Sequence, residues 1–146
     1  MKFITSFVFL ISVIVLSSCN QEKNISSFEN TKSDYFIIGS GGGFTGQYTQ
    51  YKVFNNGNVE IYDFSSKTYS QFKTADKSKL NDFFNSINSL ELNTYKFNKP
   101  GNITNYIEVN STNDLLNRIV WNKGSTEINP AVENLFNDIF EFIKSL

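Results

Sequence analysis

Apolar residues recur at two different spacings along this chain, and the change of spacing constrains the fold more than any other feature. Stretches that alternate apolar and polar residues come first in each half, and a stretch with apolar residues three or four apart closes each half. Alternation is typical of strands, and the wider spacing is typical of amphipathic helices. We therefore predict an α+β fold: an antiparallel β-sheet of about five strands with two helices packed on one face, in the order strands–helix–strands–helix. The helical stripes are Leu80, Phe83, Phe84, Ile87 and Leu90, then Val132, Leu135, Phe136, Ile139 and Ile143.

The segment Asn55-Asn56-Gly57 predicts a tight hairpin between strands Gln47–Phe54 and Asn58–Phe64. Gly57 suits the left-handed position of a three-residue loop. The resulting register pairs Val53 with Val59 and Tyr51 with Ile61 on one face, and Lys52 with Glu60 on the other. On the Lys52 face it places Tyr48 opposite Phe64, with Tyr62 beside them.

The boundaries of the remaining elements are predicted from turn-forming and helix-capping residues. We predict strands over Tyr35–Ile38, Lys67–Lys73, Ile103–Asn110 and Leu115–Asn122, a turn over 111–114, and a loop over 95–102 that contains Pro100-Gly101. Thr74 or Asp76 can cap the first helix, and Asn129-Pro130 opens the second, because Asn is a preferred N-cap and Pro suits the first helical position.

The N-terminus resembles a bacterial lipoprotein signal. Lys2 is followed by an apolar run over 3–16, too short to span a bilayer, then Ser17-Ser18-Cys19. The resemblance to a lipobox implies cleavage before Cys19, acylation of Cys19, and a place in the cell envelope, with the outer membrane preferred over the inner. It divides the chain into a signal peptide (1–18), a flexible tether (19–34) and one domain (35–146). The alternative is an ordinary secreted protein with a free thiol at Cys19.

Composition excludes several kinds of function. The chain has no histidine and one cysteine, so a Ser-His-Asp triad, a Cys-His pair and the usual zinc sites are excluded. The net charge is −1, which gives no electrostatic case for nucleic acid. We expect no cofactor, no metal and no catalytic residue.

A glycine-rich segment, Gly41-Gly42-Gly43-Phe44-Thr45-Gly46, is the most distinctive motif. Its spacing formally matches a dinucleotide-binding fingerprint, but that motif requires a helix next, and a strand is predicted here. A kinase glycine loop lies between strands, but the chain is too short for a kinase domain and lacks its other motifs. Two explanations remain: a structural turn that needs glycine for its backbone, or a loop that meets a partner closely with Phe44 as its apolar tip. Under the second, the binding residues are Gly41, Gly42, Gly43, Phe44, Thr45, Gly46, Tyr48, Tyr62 and Phe64.

Two resemblances involve this motif. Together with Asn117-x-Ile119-Val120-Trp121 and the closing helix, it resembles small, largely uncharacterised lipoproteins of Bacteroidota. The stretch Gly42-Gly43-Phe44-Thr45-Gly46 after a first strand is similar to the emfourin family of metalloprotease inhibitors, although that family has neither the lipid anchor nor the tether. The second resemblance implies inhibition of a thermolysin-like protease.

The sequence thus predicts a lipid-anchored, non-enzymatic module that binds an unknown protein partner, with protease inhibition as one specific form. Two alternatives stay open: a structural or accessory lipoprotein of an envelope assembly, and an enzyme that uses carboxylates alone. Asp138 and Glu141 share a helix face, but such pairs are usually solvated. We expect Trp121 in the core and Arg118 in a surface ion pair.

Overall fold

A computed structural model describes residues 34–110 and 116–146. The predicted signal peptide, Cys19 and nearly all of the tether lie outside the described residues, as does the predicted turn over 111–114. Lys32–Leu146 forms one compact unit. Within the described ranges, no helix has the length and apolar character needed to cross a membrane.

Over the described residues the fold is α+β, as predicted, with seven strands and two helices. The elements in chain order are β1 (Tyr35–Gly42), β2 (Gln47–Phe54), β3 (Asn58–Asp63), β4 (Thr68–Thr74), α1 (Lys77–Ser89), β5 (Asn98–Lys99), β6 (Ile103–Asn110), β7 (Leu116–Asn122) and α2 (Pro130–Ser145).

The prediction of about five antiparallel strands was wrong in number and in one direction of pairing. The spatial order is β4-β3-β2-β1-β6-β7-β5, and β5 pairs with β7 in parallel. The two residues of β5 lie in the segment predicted as a loop. Alternation cannot reveal so short a strand, because its pairing depends on where the preceding loop is held.

Both helices pack against one face of the sheet. Buried residues of α1 and α2 share one cluster with inward-facing residues of the strands, among them Ile38, Val53 and Trp121. All members of this cluster lie within the compact unit, so Lys32–Leu146 contains its own core. The opposite face carries a smaller cluster of Ile37, Tyr106 and Val120, with Tyr35 and Tyr69 packed against it.

The helix starts agree with the sequence prediction. Asp76, and not Thr74, caps α1, and its carboxylate accepts the backbone N–H groups of Ser78 and Lys79 at 2.9 and 3.1 Å. Asn129 caps α2 through the Ala131 N–H at 2.9 Å, and Pro130 takes the first helical position. Both caps satisfy backbone donors that a helix start leaves without intrahelical partners.

The predicted hairpin register is confirmed. Tyr51 pairs with Ile61, Lys52 with Glu60, and Val53 with Val59. Gly57 has a φ of 106° and accepts the Ala75 N–H at 2.8 Å, which joins the hairpin to the start of α1. The hairpin therefore helps to fix both the sheet register and the position of the first helix.

Candidate functional site

The first two of the six residues of the glycine motif, Gly41 and Gly42, lie in a strand. β1 runs to Gly42, four residues beyond the predicted end at Ile38, and pairs with β2 on one side and β6 on the other. Only Gly43–Gly46 forms the connection, a turn closed by a 3.2 Å hydrogen bond from the Gly46 N–H to the Gly43 carbonyl. Glycine has a low β-propensity, so the sequence did not predict this extension of the strand. Pairing with β2 and β6 stabilises the extended backbone here.

Each glycine of the motif has a backbone reason. A Cβ at Gly41 would overlap the backbone and ring of Tyr48, and one at Gly42 would lie 2.5 Å from the Asn102 carbonyl oxygen. Gly42, Gly43 and Gly46 have φ values of 111°, 69° and 62°, which side-chain-bearing residues rarely adopt. The Gly43 N–H donates to the Asn102 carbonyl at 2.6 Å. The glycines are thus explained by the turn, and they do not require a ligand.

Phe44 is the residue of the motif that the turn does not explain. Its side chain is fully exposed at the apex, 108 % by relative area. Thr45 beside it is also exposed, and its hydroxyl accepts the Gln47 N–H at 3.4 Å. An exposed aromatic ring on a turn anchored at its base is a feature of contact surfaces.

The other exposed apolar side chains gather near Phe44. Five large apolar or aromatic residues are exposed in the described part of the chain, and four of them lie at this end of the sheet: Phe44, Tyr48, Phe64 and Ile103. Leu116, the fifth, starts β7 at the opposite end. We call the Gly43–Gly46 turn with Tyr48, Tyr62, Phe64 and Ile103 the Phe44 end.

Ile103 was missed as a surface residue. By alternation it falls on the same side of β6 as Ile107 and Val109, but it is 39 % exposed, whereas those two are buried. It pairs with Gly42, and its side chain lies 3.7 Å from where a Cβ of Gly43 would be. Burial falls along β1 towards this end and rises along β2 away from it, so the sheet projects past the packed core here. Ile103 is exposed because it lies on this projecting part of the sheet, which the alternating pattern does not reveal.

The predicted aromatic group is present. The rings of Tyr48 and Phe64 have centroids 5.8 Å apart, and Tyr62 meets Phe64 edge-on at 4.8 Å. Tyr48 and Phe64 are each 44 % exposed, and Tyr62 is half-buried between Phe64 and Tyr69. Sequence reasoning therefore placed Phe44, Tyr48, Tyr62 and Phe64 correctly at one end of the sheet.

A hydrogen-bonded network on the same face was not anticipated. The Tyr106 hydroxyl donates to the Gln50 side chain at 2.6 Å, and the Gln50 amide donates to the Tyr69 hydroxyl. Tyr106 lies across Gly39, where any Cβ would overlap its ring. Burial raises the pKa of Tyr69 to about 12 and also raises the pKa of Tyr106. Both hydroxyls therefore stay protonated to higher pH than an exposed tyrosine does.

Charged side chains on this face are held by aromatic rings. The Lys52 ammonium lies 4.3 Å from the Tyr35 ring centroid, and the Arg118 guanidinium lies 4.0 Å from that of Tyr106. Arg118 also pairs with Glu108, the surface ion pair predicted for it. Both cations thus lie over aromatic rings, where cation–π attraction favours them.

The remaining candidates for chemistry are the carboxylates and Trp121. No group of three or more His, Cys, Asp or Glu side chains in residues 34–110 and 116–146 is arranged to hold a metal ion. Asp138 and Glu141 lie on the exposed side of α2, where Glu141 pairs with Lys144 at 2.9 Å. Trp121 is fully buried and meets Phe136 edge-on, as a core residue does.

In the comparisons with known proteins, no protein-family model and no curated protein matches this chain.

Proposed function

We propose that this protein is a lipid-anchored, non-enzymatic binding module of the cell envelope, and that the Phe44 end contacts a protein partner. The observation that carries the proposal is that, in the part of the chain that the structure describes, four of the five exposed large apolar side chains lie at one end of the sheet. Exposed apolar groups scattered singly need no explanation, whereas several at one end of a domain favour an interaction site. Tyr48 and Phe64 are in contact on the face turned away from the helices, and Ile103 lies beside Gly43 on the other side of the sheet.

The chemistry of the Phe44 end suits a protein interface. Aromatic side chains present a large contact area and lose little rotamer freedom on binding, and they dominate the energetics of many interfaces. The turn that presents Phe44 is fixed at its base by the hydrogen bond between Gly43 and Asn102. Such preorganisation reduces the entropy lost when a partner binds.

The position of the Phe44 end fits an anchored module. The described chain begins at Asp34, beside the first residue of β1, and the turn follows the last residue of that eight-residue strand. The two ends of the strand are thus roughly 25 Å apart. With a lipid on Cys19 and a tether of about 20 Å reach, this end would be held away from the anchoring membrane.

Inhibition of a metalloprotease is the specific form of this function that the emfourin-like motif suggests. Gly42–Gly46 supports it by presenting one exposed aromatic residue on a narrow, anchored turn. Such a narrow turn can insert into a cleft of the partner protease. A structural or accessory role in an envelope assembly is the competing outcome of the experiment below.

The test is a cross-linked pull-down from envelope extract with residues 30–146 as bait, comparing the parent with Phe44→Ala and with Leu116→Ala. Leu116 is the matched control, because it is an exposed apolar residue at the other end of the sheet. The proposal expects one protein captured by the parent and by Leu116→Ala and lost with Phe44→Ala. Identical capture by all three baits would refute the Phe44 end as the contact site.

A parallel titration distinguishes the inhibitor form. The same domain is added to thermolysin, and residual proteolysis is followed as the molar ratio rises. Loss of activity at a one-to-one ratio, abolished by Phe44→Ala, supports inhibition. Full protease activity at a large molar excess of the domain would refute inhibition of thermolysin. It would leave the pull-down result unaffected.

A further inference from the structure

The three central strands of the sheet extend past the packed core at the Phe44 end. Ile38 of β1 pairs with Tyr51 and Ile107, and all three are buried in the large core cluster. Gly42, four residues further along β1, lies between exposed residues of β2 and β6. At about 3.3 Å per residue, the strands therefore project roughly 13 Å beyond the row of Ile38. We call the projecting part, residues 41–48 with residues 102–104, the wedge.

Both faces of the wedge carry an exposed apolar side chain. Ile103, on the face turned towards the helices, is 39 % exposed, and Tyr48, on the opposite face, is 44 % exposed. Phe44 lies at the tip between them. Tyr48 lies against Gly41, where an added Cβ would come within 2.5 Å of its ring. Because the glycines add no side chains, the wedge is thin, roughly the 10 Å spacing of stacked sheets.

The wedge is free of charge. Residues 35–51 and 100–107 contain no Asp, Glu, Lys or Arg, although 18 % of the whole chain is charged. Charged residues lie instead at its two sides. Asp63 lines a hollow beside Tyr48, and Lys123 follows β7 next to Ile103. A partner can therefore enclose both faces of the wedge without removing an ion from water, which is a costly step, and the charges are left at the rim of the contact.

The two faces are held in a fixed relation to each other. β1 pairs with β2 and with β6 as far as Gly42. Beyond this point, the Gly43 N–H donates to the Asn102 carbonyl at 2.6 Å, and the Lys123 N–H donates to the Ile103 carbonyl at 2.8 Å. A preorganised projection of this kind loses little conformational entropy when a partner surrounds it.

We propose that the partner of this protein encloses the wedge in a cleft, with one wall against Ile103, the other wall against Tyr48, and Phe44 at the floor. This deepens the proposed function and rests on it. The occupant is a protein cleft with uncharged, apolar walls roughly 10 Å apart, the thickness of the wedge. A flat partner surface would cover one face of the sheet and would leave either Ile103 or Tyr48 in solvent.

Charge placed on each face in turn tests the proposal in the pull-down described above. The variants are Ile103→Lys and Tyr48→Lys, and Leu116→Lys at the other end of the sheet is the matched control. Each wedge variant should lower capture of the Phe44-dependent protein by about tenfold or more, because an enclosed cation without a partner is strongly unfavourable. Leu116→Lys should capture as the parent does, and thermal unfolding checks that each variant is folded.

Photo-cross-linking tests the two walls directly. The photoreactive residue p-benzoylphenylalanine replaces Ile103 in one bait and Tyr48 in another, and mass spectrometry maps the linked peptides. The expected result is that both baits link to the same protein, at two separate segments of its chain. Both links should disappear when Phe44→Ala is added to the bait.

The outcomes separate this proposal from the proposed function. Loss of capture from charge on one face only, or cross-links from both positions to a single segment, overturns the enclosing cleft while leaving the Phe44 end as the contact site. Absence of any Phe44-dependent protein with the parent bait overturns both.

Discussion

At the scale of single residues, Asn117 holds together a part of the fold that has no regular structure. It is buried in β7, and its side-chain amide donates to the carbonyls of Leu92 and Tyr95 at 2.7 and 2.8 Å. Its side-chain oxygen accepts from the Lys96 ammonium. One side chain thus fixes the connection between α1 and β5 against the sheet.

Replacing Asn117 tests this role. Asn117→Leu keeps the size but leaves two carbonyls without their donor, so we expect a loss of about 2–4 kcal/mol in the free energy of unfolding. Urea unfolding measures it. Asn137→Leu is the control, because Asn137 is exposed on α2, and it should change stability by less than about 0.5 kcal/mol. Equal losses in the two variants would contradict the assignment.

Tyr69 gives the domain a dependence on alkaline pH. Burial raises its pKa from 10.0 to about 12, so the folded state favours the neutral phenol. The associated stability is complete below pH 10 and is lost as the pH rises towards 12. Ultraviolet titration of tyrosinate should show a late-ionising fraction that shrinks in Tyr69→Phe. Ionisation of every tyrosine near pH 10 in the folded domain would show this prediction to be wrong.

At the scale of elements, α1 depends on its N-cap. Hydrogen bonds from the Ser78 side chain and the Lys79 backbone lower the pKa of Asp76, so the folded state favours the carboxylate. The stabilisation is present above the ordinary pKa of an aspartate and is lost as the pH falls through the lowered value.

Two substitutions separate the cap from its charge. Asp76→Ala should lower the urea midpoint at pH 7, because the first turn of α1 loses its acceptor. Asp76→Asn should retain most of the stability at pH 7 and lose the acid dependence contributed by this residue. A stability–pH profile for the parent and both variants checks this, and three superimposable profiles would mean that the cap is dispensable.

At the scale of the whole molecule, the fold and the proposed contact depend on different residues of the same type. Phe36 is 1 % exposed and packs edge-on against Phe84 in the core, whereas Phe44 touches solvent on all sides. We expect Phe36→Ala to cost about 3–5 kcal/mol. Phe44→Ala should change stability by less than about 0.5 kcal/mol and should still abolish partner capture. Thermal unfolding and the pull-down separate the two effects, and a large loss of stability in Phe44→Ala would assign Phe44 to the fold.

The sequence by itself determined the features that depend on local patterning. These are the α+β class, the register around Gly57, the N-cap and first proline of α2, and the alignment of Tyr48, Tyr62 and Phe64. Each follows from the period of side-chain placement or from the backbone preference of one residue, and both can be read within a few positions.

Tertiary structure alone decided the extension of β1 through its glycines, the parallel strand β5, the exposure of Ile103 and the split between β2 and β3. Each depends on partners distant in the chain. Pairing on both sides keeps Gly39 and Gly41 extended, and the limited reach of the packed core leaves Ile103 in solvent. The ladder between β2 and β3 ends at Tyr51 and Ile61, whereas β2 stays paired with β1 and β3 stays paired with β4 beyond that point. No local sequence pattern encodes this difference in pairing.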